Sequence, residues 1–165
     1  MFRLLKTAAL AATLSVPVLA PAFAHEGVHV EDAYARASTA MSQTGAAFMR
    51  LENHSGAEIR LIEARSEIAA RVELHTHLQD ANGVMRMIEV KDGFPIPPHG
   101  QHMLMRGGDH VMFMGLRAPL VQGAEVPLTL VFDNGEVIDV MVPVDMERAP
   151  EAGAHGHSHG TAHKH

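Results

Sequence analysis

Between His25 and Met146 the chain never sustains the 3.6-residue period of a long helix. It advances instead in short alternating runs separated by turn residues, and this confines it to an all-β fold. The runs are Val28 to Arg36, Gly45 to Glu52, Glu58 to Ala64, Arg71 to Leu78, Val84 to Lys91, Gln101 to Arg106, His110 to Arg117, Val126 to Asp133 and Val137 to Val144. Asn-Gly pairs at Asn82-Gly83 and Asn134-Gly135 lie between consecutive runs, which marks hairpins. Pro95, Pro97, Pro98 and Gly100 are expected to break the chain, and Ser66 to Arg71 could form one helical turn. About nine short strands at a spacing of roughly 8–12 residues predict a sandwich or barrel.

The two ends differ from this pattern. Arg3 and Lys6 precede an apolar stretch from Thr7 to Ala20, and Ala22-Phe23-Ala24 has the small residues of a cleavage site. Residues 1–24 therefore read as a secretory signal peptide, with His25 the first residue of a periplasmic product. The segment from Glu147 to His165 is rich in Gly, Ala and His and lacks large apolar residues, so disorder is expected there. The folded domain is expected over residues 25–146.

Charge and cysteine content narrow the function. The whole chain carries 13 basic and 19 acidic residues, a net charge of −6. The leader holds two of the bases and no acid, which leaves −8 after cleavage. Such a balance disfavours nucleic acid and suits a protein that attracts cations. There is no cysteine, hence no thiolate nucleophile, no disulfide exchange and no thiolate metal site. A blue-copper electron carrier, which needs a Cys ligand, is excluded on the same ground.

Against this stand 13 His and 11 Met. Alternation sorts them onto faces. In Arg71 to His77, Val72 and Leu74 share one face while Glu73, His75 and His77 share the other. Met85 and Met87 lie together, as do His110, Met112 and Met114, opposite Val111 and Phe113. An ordinary methionine core accounts for any one of these strands, but it gives no reason for His75 and His110 to stand beside the methionines. Thioether sulfur is soft and imidazole borderline, a set that favours Cu(I) over zinc. These side chains are expected on an outer or loop-end face, with Met49 in the core and Met41 in a loop.

The segments Arg71-Val72-Glu73-Leu74-His75, Gly83-Val84-Met85-Arg86-Met87, Gly107-Gly108 and His110-Val111-Met112-Phe113-Met114-Gly115-Leu116 resemble the periplasmic copper chaperones of the PCu(A)C type. Ala33 to Ala37 and Thr44 to Phe48 resemble that family's opening strands, so the resemblance covers most of Val30 to Val144. It implies a cupredoxin-like Greek-key β-sandwich. It also implies His75, Met87, His110 and Met112 as Cu(I) ligands. The implied role is delivery of copper to the dinuclear centre in subunit II of cytochrome c oxidase, or to another chaperone in oxidase assembly. Thr76 stands where many members have Glu or Met. The 22 residues between Met87 and His110 exceed the usual gap by one. Met85 remains a rival to Met87, and Met114 is a further alternate.

His155, His157, His159, His163 and His165 fall within eleven residues and suit Cu(II) or another borderline cation. His25 and His29 could add weak Cu(II) affinity at the new N-terminus. His99, His102, Met103 and Met105 border the proline loop as auxiliary or structural residues. The reading is a binding protein without a catalytic step. The alternative is a periplasmic copper or zinc buffer that uses the tail as a sink.

Overall fold

The computed structural model describes residues 27–149. The expected leader, His25 and the five tail histidines lie outside them. The described residues contain ten strands and no helix. In chain order these are β1 (Val28–Ala37), β2 (Thr44–Asn53), β3 (Ile59–Arg65), β4 (Ala69–Gln79) and β5 (Met85–Glu89), then β6 (Phe94–Ile96), β7 (Gln101–Leu104), β8 (His110–Leu116), β9 (Glu125–Phe132) and β10 (Val137–Pro143).

They form two sheets. The larger runs β1-β2-β8-β4-β5, with β7 also paired to β2, and the smaller runs β10-β9-β3-β6. The chain passes between sheets at β2–β3, β3–β4, β5–β6, β6–β7 and β8–β9, so the two layers are woven together.

Alternation builds the core between them. In β9, Val126, Leu128, Leu130 and Phe132 are buried, and the residues between them are less so. From the larger sheet come Ala47, Leu51, Leu74, Val111 and Phe113. Leu61 and Ile96 complete the smaller sheet's contribution. Met49 is part of this core and Met41 is a loop residue, as the pattern implied.

The turns follow their chemistry. Gly83 and Gly135 adopt φ values of +81° and +88°, which glycine reaches without a Cβ clash. The Asp80 carboxylate accepts the Asn82 and Val84 amides and pins the first hairpin. Asn53 is buried, and its amide donates to the carbonyls of Ala57, Ile96 and Pro97, so it ties the β2–β3 turn to the proline segment.

The structure differs from the sequence pattern in two places. The proline cluster contains β6, in which Pro95 sits opposite Arg60. A proline is tolerated there because β6 is an edge strand and its missing donor leaves no partner orphaned. Ser66 to Arg71 holds a plain turn and the start of β4 rather than a helical turn.

Candidate metal centre

The site is assembled by register. Across β8 and β4, His110 pairs with His75, Met112 with Glu73 and Met114 with Arg71. Across β4 and β5, His77 pairs with Met87, His75 with Glu89 and Gln79 with Met85. Directly opposed residues share a face, so the imidazoles and thioethers occupy one side of the larger sheet. That side faces away from the inter-sheet core, because the residues alternating with them, Leu74, Val111 and Phe113, belong to the core.

A break in one strand shapes the cavity. β7 and β8 lie end to end along the same edge of β2. Between them Met105 to Asp109 leaves the sheet as a tight loop, closed by bonds from the Met105 amide to the Asp109 carbonyl and from the Gly108 amide to the Met105 carbonyl. Gly107 adopts φ +84° within it. His102 Nε2 lies 2.8 Å from an Asp109 carboxylate oxygen, and the His102 ring stacks on Phe94 at 5.1 Å. The loop thereby carries the Gly108 carbonyl to a fixed position beside His110.

That carbonyl sets a tautomer. His110 Nδ1 lies 2.9 Å from it and must donate, because a carbonyl only accepts. The lone pair of His110 is therefore on Nε2. His77 Nδ1 approaches the same carbonyl at 3.3 Å. His75 is fixed the other way round: its Nε2 donates to the Glu73 carboxylate at 2.9 Å, and its Nδ1 is buried without a partner. A buried, lone-pair-bearing nitrogen with nothing to accept from is costly unless a ligand takes it.

His110 is only 2% exposed. This corrects the expectation of an open face: although the face is outward, Phe48 packs against His110 at 6.1 Å between ring centroids and the 105–109 loop lies beside it. Burial lowers the His110 pKa, and the nearby His77 and His75 push it the same way, while the Gly108 bond opposes them. The ring is held neutral, which is the form that can ligate a metal.

A cavity of about 420 Å³ opens here, and His77, Met87, His110, Met112, Arg36 and Arg106 are among the residues that line it. His75 stands behind that wall, 6.0 Å from His110 between ring centroids. His77 is closer to His110, at 5.2 Å. Among the described residues no three His, Asp or Glu side chains converge on a metal position, so the donors this cavity offers are mixed nitrogen and sulfur.

The remaining candidates are placed elsewhere. Met85 is two pairs farther along the hairpin and is 53% exposed. The sulfur of Met114 accepts from Arg71 at 3.6 Å. His29 packs edge-on against His54 at 4.6 Å, near the opposite end of β2. Met103 and Met105 line a separate hollow beside Asp32 and Tyr34. The sequence reading placed His77 on this face of β4 but did not single it out for the cavity that it lines. The Asp80–Gly83 turn could have revealed it, since counting back from that hairpin sets His77 opposite Met87.

Comparison with known proteins gives a consistent picture. The model of the LpqE-like family, described as "Putative lipoprotein LpqE-like", matches residues 28–144. "Putative lipoprotein Lxx21020" of Leifsonia xyli subsp. xyli is 38% identical over 119 residues, covering 72% of this chain and 70% of that protein. The solution structure of CuI-DR1885 from Deinococcus radiodurans is 34% identical with a TM-score of 0.56, covering 72% of this chain and 79% of that one. The copper-bound PCuAC domain from PmoF2 shares the fold, with a TM-score of 0.59 at 20% identity over 72% of this chain and 92% of that one.

Proposed function

This chain belongs to the LpqE-like family and has the fold of PCuAC domains, and from that premise we propose that it is a copper metallochaperone of the cell envelope. It holds Cu(I) on His75, Met87, His110 and Met112 and passes the ion on without a catalytic step. Copper is here the cargo. The relatives named as copper-bound or Cu(I) forms support this reading.

The observation that carries it is the pair of complementary tautomers. Glu73 and the Gly108 carbonyl each take one imidazole N–H, which leaves His110 Nε2 as an acceptor at the cavity that Met87 and Met112 line, and His75 Nδ1 as a buried acceptor on a ring 6.0 Å from that of His110. Such outer partners orient imidazole ligands and raise their basicity. Two neutral imidazoles and two thioethers suit a soft monocation and would leave its charge uncompensated, which favours release to a partner. Export by the N-terminal leader would place the protein in the periplasm, where it would supply the dinuclear copper centre of cytochrome c oxidase. The tail histidines would collect Cu(II).

Titration with Cu(I) against a competing chromophoric chelator, with X-ray absorption on the loaded sample, tests the proposal. One tight equivalent with mixed sulfur and nitrogen scattering is the expected result. His110→Ala and Met112→Ala should each weaken binding by at least about tenfold, the scale reported for disturbed metal shells. Met49→Ala, in the core, should leave the Cu(I) affinity of the folded protein within about twofold. Equal losses in all three variants would overturn the site assignment.

A further inference from the structure

Among the described residues, seven of the ten cations are neutralised locally. Arg50, Arg60, Arg65, Arg71, Arg86, Arg148 and Lys91 each have a carboxylate within ion-pair distance. Among the described residues three guanidiniums have no carboxylate partner: Arg36, Arg106 and Arg117. Two of these three, Arg36 and Arg106, stand at the cavity that holds His77, Met87, His110 and Met112.

Their placement is specific. Arg36 lies opposite Ala46 on β2, and Ala46 lies opposite Met112 on β8, so Arg36 is in the same cross-strand row as Met112. Arg106 projects from the loop that sets the His110 tautomer. One Nη1 of each donates to the Arg148 carbonyl at 3.4 Å, near the limit of a hydrogen bond. Asp32, which lines a neighbouring hollow with Arg106, sits at a bulge in β1 with φ +52° and is engaged by Arg148, which also stacks over Tyr34. The main chain at Arg148 thus holds both guanidiniums side by side while leaving most of their donors unspent.

Two positive groups beside a cation site oppose the binding of copper, and the chain has 19 acidic residues with which to neutralise them. Their value must lie in something that approaches the cavity from outside. Guanidinium forks match carboxylates bidentately. Beside the same cavity β5 is an edge strand that exposes Met85 and Met87 on the cavity's face of the sheet. Met and Arg are the residues enriched at protein interfaces.

We propose that Arg36 and Arg106 form a carboxylate-reading rim that docks the acidic face of another protein over the metal cavity, with exposed β5 as the apolar part of the same contact. The rim governs encounter and orientation of the partner. This rests on the proposed copper site for its purpose, and on the unpaired guanidiniums for its chemistry.

The test uses the full copper-free chain and two labelled peptides that share one Met- and Leu-containing sequence, flanked by aspartates in one and by lysines in the other. Fluorescence anisotropy at low salt should show binding of the acidic peptide alone. Arg36→Gln with Arg106→Gln should weaken it by about tenfold or more, as expected for lost electrostatic complementarity, and 0.5 M salt, used as a probe of roughly that strength, should abolish the difference. Arg117→Gln, an unpaired arginine away from the cavity, is the control and should change nothing. Equal binding of both peptides, or equal loss in the Arg117 variant, would overturn the rim. So would a rise in self-association of the chain on its own that the double variant removes, because the occupant would then be a second copy. The peptides carry no metal in this assay, so failure of the rim and failure of the copper site are read separately.

Discussion

His110 links packing to chemistry through its proton. Its pKa is lowered chiefly by burial and further by His77 and His75, so the unfolded chain takes up a proton at a pH where the folded one does not. The unfolded state then binds more protons, and stability rises with pH through that interval. Copper-free protein should therefore lose stability as pH falls through about 6.5, the ordinary histidine value, and continue to lose it down to the lowered pKa. Urea unfolding between pH 8 and 5 should show a shallower slope for His110→Gln than for the native chain, and identical slopes would argue that His110 is not buried neutral. Much at this scale is legible from alternation alone, including the shared face of His75, His110 and Met112. The burial of His110 is not, because the residues around it, Phe48 and the 105–109 loop, come from other parts of the chain. The tautomers are equally hidden, since they depend on where the Gly108 carbonyl and the Glu73 carboxylate fall.

Among the elements, the interrupted strand β7–β8 does the most to position the site. Its loop is held by two backbone bonds and by the contact between His102 and Asp109. Neither His102 nor Asp109 lines the cavity. Removing that contact should let the Gly108 carbonyl drift and loosen the His110 ring. His102→Ala is expected to weaken Cu(I) binding by about tenfold with little change in far-UV circular dichroism, in line with the effect of outer partners on metal ligands. Unchanged affinity would mean that the backbone bonds alone hold the loop. The sequence pattern places strands at Gln101 to Arg106 and from His110 onward and so brackets this loop, yet gives no sign that both strands pair with β2. β6 was missed for a related reason: a proline-rich segment carries breaker signals, and only its edge position beside β3 makes a short strand possible.

On the scale of the whole molecule, the contacts of the described chain continue past Met146 to Arg148. Its side chain covers Tyr34 and pairs with Asp32, and its carbonyl meets Arg36 and Arg106. The last described residues therefore lie beside the two arginines of the cavity. The proposed division of labour between cavity and tail makes a separable prediction. Replacing His155, His157, His159, His163 and His165 with alanine should leave the tight Cu(I) equivalent intact, with affinity within about twofold, and should remove most Cu(II) binding; both are measurable by competition titration, where the binding free energy changes by only ~0.4 kcal/mol for a twofold shift. Loss of the Cu(I) equivalent would place the cargo on the tail and favour the buffering role.

The amino-acid sequence by itself determined the all-β class, the hairpin turns, the core faces and the list of soft donors. Each of these follows from local rules: a side-chain period of two, glycine at positive φ, and the affinity of thioether and imidazole for soft cations. The tertiary structure decided which donors meet. It put His77 and Met87 at the cavity with His110 and Met112, left Met85 and Met114 outside it, and gathered two unpaired arginines at its rim. Those outcomes depend on inter-strand register and on which loop roofs which face. Both are set by the balance of packing across the whole sandwich rather than by any short stretch of the chain.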